Sequence, residues 1–336
     1  MNDFKDQLVT ECIGRYLIDM PRKTALLSDL QINSDVRIDA TPMSKIDFLD
    51  EMERLELSYK AIKHIHNYQV LFEISEPDGE YSKLFVRLED IDSSETSRYL
   101  EAYKWNNGYT IKLISKASDN SAEKFKDDKL AMLVGTTLPK KRATLIALLK
   151  QVRGRDRHEI PTGPGTCFDG GFLAGKAHDL EIFSGAFALV DKQDVQISFD
   201  SHSRYYVEKT LLERSSEFNG DLARYVGIVP GGRIIREQKI TVNGMPAEEW
   251  LMAGETNLHI PGHHFILNFN ERQATPQAPF LELDMTNGDH SMLRSDHWYS
   301  QEDGKLLFKT ASLTENEALS LWELVSRSLR VRPGAY

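Results

Sequence analysis

The chain has 336 residues, 40% of them hydrophobic and 27% charged, with a formal net charge of -10. At roughly 150 residues per domain this length predicts two domains, and the balance is that of a folded globular protein, which excludes a disordered chain. The negative charge repels a phosphate backbone, and no apolar run approaches the roughly 20 residues of a membrane-spanning helix, so neither a nucleic-acid partner nor a transmembrane segment is expected.

The first residues, Met1-Asn2-Asp3-Phe4-Lys5-Asp6, lack the basic start and apolar stretch of a secretory signal, which leaves a cytosolic protein or one shown without its signal. Only two cysteines occur, Cys12 and Cys167, so a zinc ribbon or a disulfide framework is excluded. The preferred reading is two small buried apolar residues, with one disulfide as the alternative in an oxidising compartment. Ser44 opens an amphipathic helix whose apolar face is Phe48, Met52, Leu55, Tyr59, Ile62 and His66. His64-Ile65-His66 closes it, and the imidazoles are read as C-terminal caps. Strands are expected over Tyr68 to Ser75, Lys83 to Leu88, Tyr99 to Trp105 and Tyr109 to Ile114, the last two joined at Asn106-Asn107-Gly108.

Leu130 to Val134 predicts a strand leading into a helix opened by Pro139, a residue suited to the first helical turn. Lys140-Lys141-Arg142, with Lys150, Arg153 and Arg155, reads as a solvated basic face. Ile160-Pro161-Thr162-Gly163-Pro164-Gly165 denies both helix and strand continuation. The boundary placed there gives domains 1–156 and 157–336. Beyond it, Gly227-Ile228-Val229-Pro230-Gly231-Gly232 reads as a turn, followed by strands at Ile234 to Val242, near Trp250, at Phe265 to Phe269 and at Phe280 to Met285. Asn243-Gly244 is another hairpin turn. A strand at Leu306-Leu307-Phe308 precedes a helix opened by the capping-box pattern Thr314-x-x-Glu317, with Ala318, Leu321, Trp322, Val325 and Leu329 as its buried stripe.

A weak duplication organises these elements. Cys12-Ile13-Gly14-Arg15-Tyr16-Leu17-Ile18 faces Cys167-Phe168-Asp169-Gly170-Gly171-Phe172-Leu173, and Asp35-Val36-Arg37-Ile38 faces Asp194-Val195-Gln196-Ile197. The halves end with Leu138, Ala143, Leu149 and Arg155 matching Leu313, Ala318, Leu324 and Arg330 at a constant offset of 175. Hairpins imply antiparallel pairing, so the expected class is α+β: two related domains, each a mainly antiparallel sheet with helices packed on it.

Catalytic motifs are missing. The strained nucleophile turn Gly-x-Ser-x-Gly does not occur, and Phe183-Ser184-Gly185-Ala186 reads as strand or turn. Neither phosphate-binding glycine pattern occurs. His259-Ile260-Pro261-Gly262-His263-His264 is the best metal candidate, with His290 or His297 and Asp289 or Asp296 near in sequence, but Pro261 and Gly262 prevent a helix from aligning the imidazoles. An exposed loop leading into a strand is the preferred reading. The neighbouring carboxylates Glu248-Glu249, and Glu51 with Glu53, point apart as helical neighbours and form no acid/base couple. No catalytic residue, metal ligand or cofactor site is assigned.

Cys12-Ile13-Gly14-Arg15-Tyr16-Leu17-Ile18-Asp19-Met20-Pro21 resembles the start of the N-terminal domain of immunity proteins against type VI secretion lipase effectors. Cys167-Phe168-Asp169-Gly170-Gly171-Phe172-Leu173 resembles the start of that family's C-terminal domain. The resemblance implies a non-catalytic periplasmic antitoxin of two α+β domains that grips a cognate phospholipase effector and prevents productive opening of its active site. It does not identify the loops that face the effector. The periplasmic expectation assumes a signal segment absent from this sequence; a native start at Met1 implies a cytoplasmic protein. Two alternatives are a periplasmic small-ligand-binding protein with an interdomain site and a metal-dependent hydrolase using His259, His263 and His264.

Overall fold

The computed structural model describes residues 8–33, 35–217, 232–289, 291 and 309–336. Along the chain, Leu8–Ile13 (β1), Tyr16–Pro21 (β2), Thr24–Ile32 (β3) and Val36–Pro42 (β4) precede the helix Lys45–Ala61 (α1). Four strands follow, Leu71–Ser75 (β5), Ser82–Arg87 (β6), Ser97–Asn106 (β7) and Tyr109–Ser118 (β8). The helices Lys129–Val134 (α2) and Leu138–Gln151 (α3) and the strand Val152–Gly154 (β9) come next. The second series is Gly165–Phe168 (β10), Gly171–Ala174 (β11), Glu181–Leu189 (β12), Lys192–His202 (β13), the helix Leu211–Glu217 (α4), Arg233–Val242 (β14), Met245–Glu255 (β15), Pro261–Phe269 (β16) and Phe280–Asn287 (β17). It ends with the helix Glu315–Ser326 (α5) and the strand Arg330–Val331 (β18). The class is antiparallel sheet with few helices.

Two compact units are formed. One comprises Leu30–Glu159 and Asp169–Gly175, the other Met1–Asp29, Ile160–Phe168 and Lys176–Tyr336. In the first, the end of β3 is followed across the sheet by β4, β8, β7, β6 and β5. Its β7–β8 hairpin turns at Asn107 and Gly108, whose φ angles of 51° and 83° are the positive pair that a two-residue turn matched to strand twist requires. Ser44 caps α1 as its sequence predicts, accepting a hydrogen bond from the Asp47 amide at 3.1 Å. Phe48 and Met52 are driven into the sheet against Phe85 and Tyr103, each burial worth roughly 1.5–3 kcal/mol. Leu145, Leu148 and Leu149 do the same for α3.

In the second unit the order β14-β15-β16-β17-β13-β12 leads to the start of β3. Strand alternation gives β16 two apolar faces. Phe265 meets Trp322 of α5 edge-on at 5.8 Å, while Ile266 joins Trp250, Met252 and Leu211 of α4. The capping box of Thr314 and Glu317 is formed in both directions, and Ala318, Leu321, Trp322, Val325 and Leu329 are buried. β2 also pairs with the last strand, β18.

Several expectations are corrected. Cys12 and Cys167 are not free buried thiols but a disulfide with Cα atoms 5.8 Å apart. Leu130 to Val134 is helix, because the Asp128 carboxylate accepts from the Leu130 and Ala131 amides and Gly135 ends the turn at φ 68°. Arg155 is not on a solvated face: it is buried and donates to the carbonyls of Asp156, Arg157, Glu159 and Gly171. Lys141 and Arg142, on that same basic run, are paired with Asp35 and Glu73. The expected turn Gly227 to Gly232, apart from Gly232, and the strand at Leu306 to Phe308 lie outside the described residues.

Candidate functional site

The histidines expected as the best metal candidate diverge. His259 occupies an exposed turn at φ 58°, and its Nδ1 lies 2.9 Å from Glu255. His263 and His264 are successive residues of β16 and so face opposite sides of the sheet. His263 lies beside Asn287, which is 2.9 Å from its Nδ1, and burial lowers its pKa. His264 is bonded to Asp284; burial opposes its charge, but Asp284 outweighs burial and the pKa is raised. Among the described residues no group of three or more histidine, cysteine or acidic side chains could hold a metal ion. Asp289 holds Asn257 by a 3.0 Å hydrogen bond, whereas His290, Asp296 and His297 lie outside the described residues.

His64 does not cap its helix, which ends at Ala61. It is buried beyond it, with Nε2 2.9 Å from the Ser93 carbonyl and Nδ1 accepting from the His66 amide, so it organises a loop. Glu248 and Glu249 are strand rather than helix neighbours, and they point to opposite faces of β15. Glu248 accepts from the Leu212 amide at 2.9 Å, while the fully buried Glu249 accepts from Trp322 and Arg327. Glu51 is engaged with Arg54. These carboxylates are structural.

The same holds for Glu101, buried beneath α1. It accepts from Tyr59 at 2.9 Å, Arg87 at 2.8 Å and Tyr103 at 3.1 Å, with Lys112 at 3.0 Å. Burial pushes its pKa up, but the neighbouring cations outweigh this and hold it below the usual carboxylate range; Tyr59, desolvated beside the carboxylate, is pushed up to about 12. The network fixes α1 against the sheet and thereby fixes what α1 shows on its other side.

That other side carries a second apolar stripe, Ile46, Leu49 and Leu57, exposed by 71%, 41% and 61%. Beside it is a groove of about 350 Å³ lined by the apolar Phe48, Leu49, Met52 and Leu57 and by Glu53, Glu56, Glu76, Glu80, Ser82 and Lys83. Lys83 is taken up by Glu56 at 3.2 Å and Glu76 at 3.5 Å, and Lys60 also binds Glu56 at 2.6 Å. Bonding to Lys60 lowers the Glu56 pKa, against the opposing effect of burial. Glu53 and Glu80 form no ion pair among the described residues. A second exposed apolar surface lies on α2, where Leu130, Met132, Leu133 and Val134 all face outward and only Ala131 is buried. A run of exposed apolar residues on a folded protein marks an interaction surface, and the hydroxyl and amine lining the groove are engaged, Ser82 with the Gly79 carbonyl and Lys83 with Glu56 and Glu76. The chemistry available is recognition. The sequence signal for it was the spacing Ile46, Leu49, Glu53, Leu57, a helical stripe outside the face assigned to the core.

The sequence profile of the Tle cognate immunity protein 4 N-terminal domain matches residues 9–155, and that of the Tle cognate immunity protein 4 C-terminal domain matches residues 159–334. No curated protein sequence matches. Among solved structures, the chain is similar to one in the crystal structure of the Tle4-Tli4 complex. The TM-score is 0.75 and the identity 22%, covering 98% of this chain and 99% of that one. It is also similar to the apo immunity protein TplEi of the T6SS from Pseudomonas aeruginosa, at a TM-score of 0.72 and 21% identity over 97% of both chains. The TplEi structure complexed with an "L" peptide gives a TM-score of 0.67 at 21% identity, covering 98% of this chain and 99% of that one. At these identities the structural likeness establishes the fold.

Proposed function

The chain belongs to the Tle cognate immunity protein 4 family, whose members are immunity proteins against type VI secretion lipase effectors and not enzymes, and we propose that this one binds and inhibits a cognate phospholipase, protecting the bacterium that makes it. The observation that carries the reading is the pair of family profiles, which match in order and leave only short ends and a short linker uncovered. The Tle4-Tli4 complex supports it, since a chain of the same fold is there bound to Tle4.

The proposed compartment is the periplasm. A disulfide persists in an oxidising compartment, and the Cys12–Cys167 bond fits one. Among the described residues no helix is long and apolar enough to cross a membrane. The proposed domains are 1–156 and 157–336, in keeping with the two matched ranges.

An internal duplication is part of the proposal. Among the described residues, four strands, a helix, four strands, a helical stretch and a last short strand succeed one another in each half. Numbered within its own half, each half's long strands follow the order 3-4-8-7-6-5. The guanidinium following the last strand is buried in both halves: Arg155 donates to four backbone carbonyls, and Arg332 to those of Pro161, Gly163 and Gly165.

The test is protection. Cells exporting the cognate phospholipase to the periplasm should lose viability and membrane phospholipid, and co-export of this chain should restore both. Undiminished killing, with both proteins detected in the periplasm, would overturn the reading.

A further inference from the structure

We propose that the groove beside α1 is the anchoring site for the phospholipase, and that it takes an apolar side chain flanked by lysines or arginines on the effector surface. The inference rests on the immunity reading and adds to it a location and a chemistry.

The groove combines two features that call for complementary groups. Of its apolar lining, Phe48 and Met52 are already buried against the sheet, while Leu49 and Leu57 are exposed and offer area that a partner's apolar side chain would remove from water, at roughly 25 cal/mol per Å². Its polar lining is mainly anionic. Of the four lining carboxylates, Glu56 is met by Lys60 and Lys83, and Glu76 shares Lys83, while Glu53 and Glu80 have no cation among the described residues. Seating an uncharged or anionic group in this groove would dehydrate those carboxylates without compensation. A cation on the partner instead converts the same desolvation into a charge-assisted pair.

Charge also decides between occupants. A second copy of this chain, related by a two-fold axis, would set the same carboxylates against each other. An anionic lipid surface would be repelled by these carboxylates and by the net charge of -10. A basic-flanked apolar element on a protein partner is the occupant that both features favour. The groove is also pre-formed, because Tyr59, on α1, donates to Glu101 beneath it. Binding there requires little ordering of α1, which favours affinity.

The test uses the full chain and the phospholipase that co-purifies with it in equimolar amount, identified and produced as a pure protein. Three forms are titrated: wild type, Leu49→Asp, and the double variant Glu53→Lys/Glu80→Lys. All three substituted side chains are on the surface, and matched thermal melting checks the fold of each variant. The dissociation constant should rise at least about tenfold in each variant, and the double variant should lose much of the salt dependence. Two synthetic peptides, identical except that a Leu-Leu pair is flanked by arginines in one and by glutamates in the other, serve as a second probe. The arginine peptide should compete with the phospholipase for wild type and the glutamate peptide should not. Unchanged affinity in both variants, or equal competition by the two peptides, overturns the groove assignment and leaves the immunity reading standing. A phospholipase that wild type neither binds nor inhibits overturns the reading, and the groove assignment with it.

Discussion

Cys12 and Cys167 are 155 residues apart in sequence and covalently joined. Each stands in the segment that opens its half of the chain, two residues before Gly14 in the first and two before Asp169 in the second. The backbone reinforces the bond, since the Gly14 amide donates to the Cys167 carbonyl at 2.9 Å and the Cys167 amide to the Gly14 carbonyl at 2.7 Å. The two sequence halves are thus tied at their starts by one covalent and two hydrogen-bonded links.

Closing so long a loop restricts the unfolded chain, so the disulfide should stabilise the native state by about 2–5 kcal/mol. The double variant Cys12→Ser/Cys167→Ser should show that loss in urea unfolding, and reductant should reproduce it in the wild type without affecting the variant. Equal midpoints with and without reductant would contradict the bond.

Replacing Glu101 by Gln should destabilise by about 3–5 kcal/mol, because Arg87 and Lys112 are left facing a neutral group in a buried site. Glu101 has a depressed pKa in the folded state, so its contribution is present above the unfolded carboxylate range and lost as pH falls through the folded value. The variant should therefore differ most from wild type near neutral pH and converge with it in acid, as read by urea midpoints across pH.

Glu282 carries the opposite sign. Burial, then Asp284 and Asp200, push its pKa up to about 7 from an ordinary 4.5. Its protonated form favours folding, so that stabilisation is full below about 4.5 and is lost as pH rises through about 7. His264, raised chiefly by Asp284 against burial, adds a slope of the same sign. Glu282→Gln should reduce the fall in melting temperature between mildly acidic and mildly alkaline pH without abolishing it, and should stabilise the protein at the alkaline end.

On α2, Leu133 is 84% exposed. Leu133→Asp should change unfolding free energy by no more than about 0.5 kcal/mol, since so exposed a side chain loses little packing. A larger loss in urea unfolding would show that this surface is covered within the folded chain.

Much of the fold was legible where local chemistry is decisive. Ser44 and Thr314 announce helix starts, and Asn107-Gly108 and Asn243-Gly244 announce hairpins, because each depends on a few adjacent atoms. The Leu130 to Val134 run misled because apolar content alone does not separate strand from helix; the deciding signals were the cap at Asp128 and the stop at Gly135. Arg155 looked solvated by charge, yet its guanidinium donates to four carbonyls from two separate stretches, residues 156–159 and Gly171, which no local pattern reveals. The cysteine pairing was hidden for the same reason. The groove was half visible: Leu49 and Leu57 could be seen as surplus to the core face, but Glu76 and Glu80 join them only through the packing of α1 on the sheet.

Inhibition by binding is stoichiometric, and it is read by titrating pure cognate phospholipase with the full chain while following phospholipid hydrolysis. Activity should fall linearly and be abolished near one equivalent of the chain, with neither protein consumed. Hydrolysis that continues undiminished at several equivalents, with both proteins folded, would contradict it.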